Sequence, residues 1–107
     1  PDIIQPDAIK TGGITEFLKI SIELLKRDQI IMIHNTQPLI STSIHMNFLC
    51  ANPNIELPLE YNIEPNSLIE NPITSENFKI QSGKIEVPDK VSFGLDFDIN
   101  EMKNRSI

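Results

Sequence analysis

Ile30-Ile31-Met32-Ile33-His34-Asn35-Thr36-Gln37-Pro38 is the stretch that decides how the rest of the chain is read. Four apolar residues in a row, three of them β-branched, predict a strand buried on both faces, as in a parallel sheet. The run stops at a histidine, and polar residues and a proline follow. In parallel α/β architectures ligands and catalysis gather at the carboxyl ends of strands, where loops vary without disturbing the core. A histidine at that point suits proton transfer near neutral pH. A histidine that only closes a strand and hydrogen-bonds a loop has the same local signature, so its partners must be sought elsewhere in the chain.

Upstream, Asp2-Ile3-Ile4-Gln5 reads as a short strand that Pro6 ends, since proline cannot donate to a ladder. Asp7 follows at its carboxyl end. The loop Ala8-Ile9-Lys10-Thr11-Gly12-Gly13 turns into a helix over residues 15–27, where Ile14, Phe17, Leu18, Ile22 and Leu25 recur at helical spacing. Thr15 is expected to cap it, with Glu16 in the first turn and Lys26-Arg27 in the last. Strand, helix and strand in succession make a βαβ unit, which sets the two strands parallel, and neighbouring strands lie about 4.8 Å apart. Asp7 and His34 then share one end of the sheet, where a carboxylate fixes the tautomer of an imidazole and raises its proton affinity.

Downstream, a second helix is expected over residues 40–50, with Ile40, Ile44, Phe48 and Leu49 inward, Ser41 or Thr42 as cap, and His45 a surface or packing residue. Ile55-Glu56-Leu57-Pro58-Leu59 is a third strand candidate, weakened by Pro58. It delivers Glu60 to the end that holds Asp7 and His34. Residues 63–77 read as a long loop, interrupted by Pro65 and Pro72. Phe78-Lys79-Ile80 and Lys84-Ile85-Glu86-Val87 alternate around Gln81-Ser82-Gly83, a hairpin signature. Residues 93–98 are expected to be extended, and residues 99–107 helical or frayed.

The 107 residues fit one domain, and the net charge of -6 argues against nucleic acid or an anionic membrane as partner. One cysteine, Cys50, rules out an intrachain disulfide and fits a reducing, cytoplasmic setting. It reads as a small helix residue, not a nucleophile. No apolar run approaches the roughly 20 residues that span a bilayer. With only Pro1 ahead of the first strand, the chain is expected to be a piece of a larger protein.

The succession Gln5-Pro6-Asp7-Ala8-Ile9-Lys10-Thr11-Gly12-Gly13-Ile14-Thr15 resembles the sixth-strand segment of the mandelate racemase group in the enolase superfamily. The strand ending in His34 resembles the seventh, and Leu59-Glu60-Tyr61 the eighth. Gly83-Lys84-Ile85-Glu86-Val87-Pro88-Asp89, followed by Gly94-Leu95, resembles the tail that returns toward the capping domain. The departures are Val91-Ser92, where the tail usually has proline and glycine, and Pro58 ahead of the glutamate. The resemblance implies an α/β fold: the C-terminal part, about the last three strand–helix units plus tail, of a modified (β/α)8 TIM barrel. Residues 1–62 would be the last βα units, and residues 63–107 the loop, hairpin and tail.

By the same resemblance Asp7 and His34 stand for a catalytic dyad, and Glu60 for the glutamate at the substrate carboxylate end opposite the metal. Asn35 would be a substrate contact. His34-Asn35-Thr36-Gln37-Pro38 looks most like acid-sugar dehydratases, which take the proton α to a carboxylate and eliminate water to a 2-keto-3-deoxy acid. A racemase, epimerase or cycloisomerase of the same superfamily, or a non-catalytic α/β ligand-binding module, are the alternatives. The implied cofactor is Mg2+, with its ligands on strands that this chain lacks. The implied partners are a small sugar-acid substrate and the remainder of the parent chain or another copy, in a homo-oligomer. The chain alone is expected to be inactive.

Overall fold

The computed structural model describes residues 1–65, 67–70, 72–74 and 78–105. Strand β1 (Ile3–Ile4) and strand β2 (Ile30–Ile31) pair in parallel, with Ile3 opposite Ile30 and Ile4 opposite Ile31. Helix α1 (Ile14–Lys26) connects them. The expected βαβ unit is thus present. The ladder runs beyond the two named pairs, because the Met32 amide donates to the Ile4 carbonyl at 3.1 Å and the His34 amide to Pro6 at 3.1 Å.

Continuing that register sets Gln5 beside Met32 and Asp7 beside His34 on one face of the ribbon. Pro6, Ile33, Ala8 and Asn35 fall on the other, since strand side chains alternate. The second face is buried and the first is open: Ile31, Ile33 and Ala8 are in the core, whereas Ile3 is 45% and Ile30 53% exposed. The central strand is therefore not buried on both faces within this chain. One face packs on helices; the other is open at Ile3 and Ile30 and closes over Asp7 at the strand end.

Helix α1 starts one residue earlier than expected. Gly12 and Gly13 take φ of 96° and 113°, a region closed to most side chains, so the loop turns sharply enough for Ile14 to open the helix. Gly13 caps it and Thr15 does not. Only part of the apolar stripe is used. Phe17 and Ser21 are buried and Leu24 and Leu25 pack on the core, while Ile14, Leu18 and Ile22 stay exposed.

Helix α2 (Ile40–Ala51) begins after Leu39, which holds φ 60°. Phe48 meets Phe17 edge-on with ring centroids 4.8 Å apart. Ile44 and Leu49 are half-buried against the core. Ser41 and Thr42, expected as caps, are inside, as is Ser43, and His45 is a packing residue and not a surface one. Cys50, near its end, is exposed.

No third strand forms among the described residues over 55–59. Pro58 has no N–H for a ladder, and the only backbone bond onto β2 is a long one, from the Glu60 amide to the Ile33 carbonyl at 3.4 Å. Ile55 and Leu59 still pack on the core. The expected long loop contains a single turn, α3 (Ser67–Glu70), and residues 66, 71 and 75–77 of it lie outside the described residues.

The expected hairpin forms, with Gln81 in its first strand and not in the turn. Strands β3 (Ile80–Gln81) and β4 (Lys84–Ile85) pair antiparallel around Ser82 and Gly83, whose φ of 51° and 73° belong to the two-residue turn that matches strand twist. Phe97 makes an isolated bridge to Thr74. Helix α4 (Ile99–Arg105) follows, with Asp98 Oδ1 accepting from the Asn100 and Glu101 amides. Residues 106–107 lie outside the described residues.

Candidate active site

Asp7 and His34 meet because the strands that carry them are in register: they are 27 residues apart, the same offset as the Ile3–Ile30 pair. His34 Nδ1 lies 2.7 Å from Asp7 Oδ2. Asp7 is 3% exposed and His34 25%. The second carboxylate oxygen accepts the Ile9 amide at 2.8 Å, and the Thr11 hydroxyl and amide both donate to the Asp7 carbonyl. The carboxylate is therefore held by Ile9 on one side and His34 on the other, while Thr11 fixes the Asp7 backbone.

Burial pushes the Asp7 carboxyl up. Hydrogen bonds from His34 and from the Ile9 and Lys10 amides outweigh it and hold the group below the usual carboxylate range. An ionised carboxylate only accepts, so the imidazole proton sits on His34 Nδ1 and, in the neutral ring, the lone pair is at Nε2. Nε2 has no hydrogen-bond partner among the described residues. It belongs to a residue on the open face of the ribbon. A base oriented by a buried acceptor and directed at accessible space is an arrangement for moving a proton.

Glu60 stands at the same end but touches neither member of that pair. Its Oε2 accepts the Asn35 amide at 3.1 Å, and its carbonyl accepts Asn35 Nδ2 at 3.0 Å. Asn35 itself faces the helices. It is 1% exposed, as its odd position on the strand demands, and its side chain is fully engaged. Oδ1 accepts from Ser41 Oγ at 3.2 Å and from His45 Nδ1 at 3.1 Å, while Nδ2 also donates to Thr42 Oγ1 at 3.0 Å. The expected substrate contact is thus an internal brace between β2, α2 and Glu60.

His45 is a packing residue, one of its two expected roles, but apolar spacing does not foresee its hydrogen bonds. Its ring is fully buried and packs against Phe17 with centroids 5.4 Å apart. Nε2 accepts the Ala8 amide at 3.0 Å, so Nδ1 carries the proton and donates to Asn35. Burial lowers the affinity of this ring for a second proton; the negative charge of Asp7 opposes that effect and His34 adds to it. His45 is therefore a neutral imidazole with both nitrogens committed. The one signal for it in the sequence was a polar run, Ser41 to His45, on a helix that has to face a core.

Among the described residues no group of three or more His, Cys, Asp or Glu side chains could hold a metal ion. Asp7 is committed to His34 and Ile9, and Glu60 lies against Asn35. The described residues do not fit a magnesium site by themselves. A cleft of about 780 Å3 between the hairpin and residues 86–95 touches none of these side chains. No described helix is long and apolar enough to cross a membrane.

A parallel βαβ unit with a carboxylate-anchored histidine at its strand ends is an α/β arrangement suited to moving a proton. The family model for enolase C-terminal domain-like proteins matches residues 1–102. The chain belongs to that family, and so to the C-terminal portion of the enolase superfamily, whose fold is an α/β barrel. The D-xylonate dehydratase of Haloferax volcanii is 33% identical to it over 103 residues, covering 95% of this chain and 24% of that protein. The chain spans about a quarter of the length of this curated relative.

Proposed function

We propose that this chain is the last part, about three strand–helix units and a tail, of the barrel of an acid-sugar dehydratase, and that it supplies that enzyme's proton-transfer dyad. The observation that carries the proposal is the 2.7 Å contact between Asp7 and His34 at the matched ends of parallel strands. Family membership and the name of the halophile relative support the reaction class.

Dehydration of a sugar acid breaks the C–H bond next to the carboxylate and the C–O bond on the neighbouring carbon. One proton must leave carbon and one must reach the departing hydroxide. The enol left behind becomes a 2-keto-3-deoxy acid. His34 handles one of these protons at Nε2, with Asp7 holding Nδ1–H and stabilising the imidazolium once formed. Glu60 has a second carboxylate oxygen for the substrate, held in place through Asn35. The α-proton is very weakly acidic, and Mg2+ in this reading supplies Lewis-acid stabilisation from ligands outside this chain. Residues 63–107 pack back toward the capping domain.

The test is product analysis with the whole protein that carries this chain, purified with magnesium and offered a panel of sugar acids that includes D-xylonate. A product lighter by one water, carrying a keto group, is expected. A product of unchanged mass would assign racemisation or epimerisation instead. No turnover on any sugar acid, with ligand still bound, would leave a binding module and overturn the proposal.

A further inference from the structure

Asp7, His34 and Glu60 must hold fixed positions for the chemistry above, yet among the described residues only Asp7 and His34 share a hydrogen bond. Glu60 reaches the dyad by no direct contact among the described residues. The connection runs underneath, on the helix-facing side. The Ala8 amide, one residue past Asp7, donates to His45 Nε2 at 3.0 Å. His45 Nδ1 donates to Asn35 Oδ1 at 3.1 Å. Asn35, one residue past His34, holds Glu60 twice, through its amide and its Nδ2. Ala8 and Asn35 are each next to a site residue in sequence, Glu60 is itself one, and His45 joins them from α2.

We propose that His45 is a positioning residue, tying the strand end that bears Asp7 to Asn35 and through Asn35 to Glu60, so that one buried clamp sets the spacing of all three site carboxyl and imidazole groups. The position calls for a side chain that accepts at one end and donates at the other, as imidazole does in this tautomer. One ring must accept from a backbone amide at Nε2 and donate to an amide oxygen at Nδ1, across its own width. Its surroundings allow no other behaviour, since Phe17 packs on the ring and water is excluded. An apolar side chain of similar size fills the space but leaves the Ala8 N–H buried without an acceptor, which frees the Asp7 loop to move. A glutamine places an amide oxygen near Nε2 and retains the acceptor.

The inference rests on the proposed reaction for its kinetic readout only. In the whole protein, His45→Leu and His45→Gln are compared with the parent by hydrogen exchange over residues 6–11 and by steady-state kinetics on the sugar acid that turns over. His45→Leu is expected to speed exchange in that segment and to lower kcat on the order of 10²-fold, the scale of a misplacement of about 1 Å, with KM nearly unchanged. His45→Gln is expected to restore slow exchange and most of kcat. Unchanged exchange in His45→Leu overturns the proposal whatever the kinetics show. Faster exchange with kcat of the folded enzyme intact overturns it too, because His45 would then be structural only. If the parent turns over no sugar acid while exchange responds as described, the reaction assignment fails and the clamp stands. If His45→Leu does not fold, a His45→Gln enzyme with kcat as low as that of an Asp7 variant overturns the proposal.

Discussion

Replacing Asp7 by asparagine separates the position of His34 from its tautomer. The new side chain has the same shape, and the Ile9 amide, at 2.8 Å from Oδ1, decides how it sits. An amide NH2 turned toward Ile9 would set two donors face to face, so the carbonyl oxygen stays on Ile9 and the NH2 faces His34. There it donates to Nδ1, which must now be the bare nitrogen, and the ring proton moves to Nε2. The lone pair that pointed at the substrate is gone. A charge-assisted bond of about 1.5–3 kcal/mol gives way to a neutral one of about 1 kcal/mol. Relief from burying the carboxylate offsets part of that difference, so stability falls by only about 1–2 kcal/mol. Activity falls far more. The same exchange behind the catalytic histidine of serine proteases lowers kcat by about 10⁴-fold through the wrong tautomer, and a drop on that order is expected here. The assay is steady-state turnover of the whole protein at saturating sugar acid, with urea unfolding alongside. An Asp7→Asn enzyme that keeps activity within about tenfold of the parent, equivalent to about 1.4 kcal/mol of barrel-end chemistry, would refute the assigned roles.

Acid should destabilise the protein in two stages. The folded-state pKa of His45 lies below its ordinary value of about 6.5, so above that pH both states are neutral there. Below it the unfolded chain binds a proton that the folded one refuses, and stability falls. Asp7 is shifted down as well, so its contribution is complete above about pH 3.9 and is lost as pH falls through the folded value. Thermal scans between pH 8 and pH 3 should show the first decline in the parent and not in His45→Gln, where Asp7 and His34 remain the facing charges; identical profiles would contradict the buried neutral ring. Phe17→Ala removes a fully buried ring that packs on both Phe48 and His45, and a loss of about 3–5 kcal/mol is expected by urea unfolding. A loss under about 1 kcal/mol would mean that α1 is not anchored at this point.

The parallel pairing of β1 and β2, the intervening helix and the Ser82-Gly83 hairpin were legible because each rests on local chemistry: β-branched runs, helical spacing, a turn dipeptide. The Asp7–His34 contact followed from them, since parallel strands of matched length bring their ends together. What spacing could not show was a polar core. Ser41, Thr42 and His45 are buried because Asn35, on the odd-numbered face of β2, needs partners on the helix that covers it, and apolar periodicity carries no signal for that. The assignment of Asn35 to the substrate overlooked the same alternation. The third strand failed at Pro58, where the ladder lacks a donor. On α1 the periodic stripe is real, but it is wider than the part that this chain covers, and Ile14, Leu18 and Ile22 are left outside.

The alternation along β2 divides labour residue by residue. Ile31, Ile33 and Asn35 answer to the interior, where a changed volume or a lost amide is felt at once. Ile30, Met32 and His34 answer to whatever lies across the open side. Mutations that retune chemistry can therefore accumulate at even numbers without loosening the scaffold, whereas a slip of the strand by one place would exchange the two sets wholesale. Imidazole would be entombed and carboxamide presented to the ligand. Two features guard against that error from opposite faces: the burial of Ile31 and Ile33 on one, and the Asp7–His34 hydrogen bond on the other.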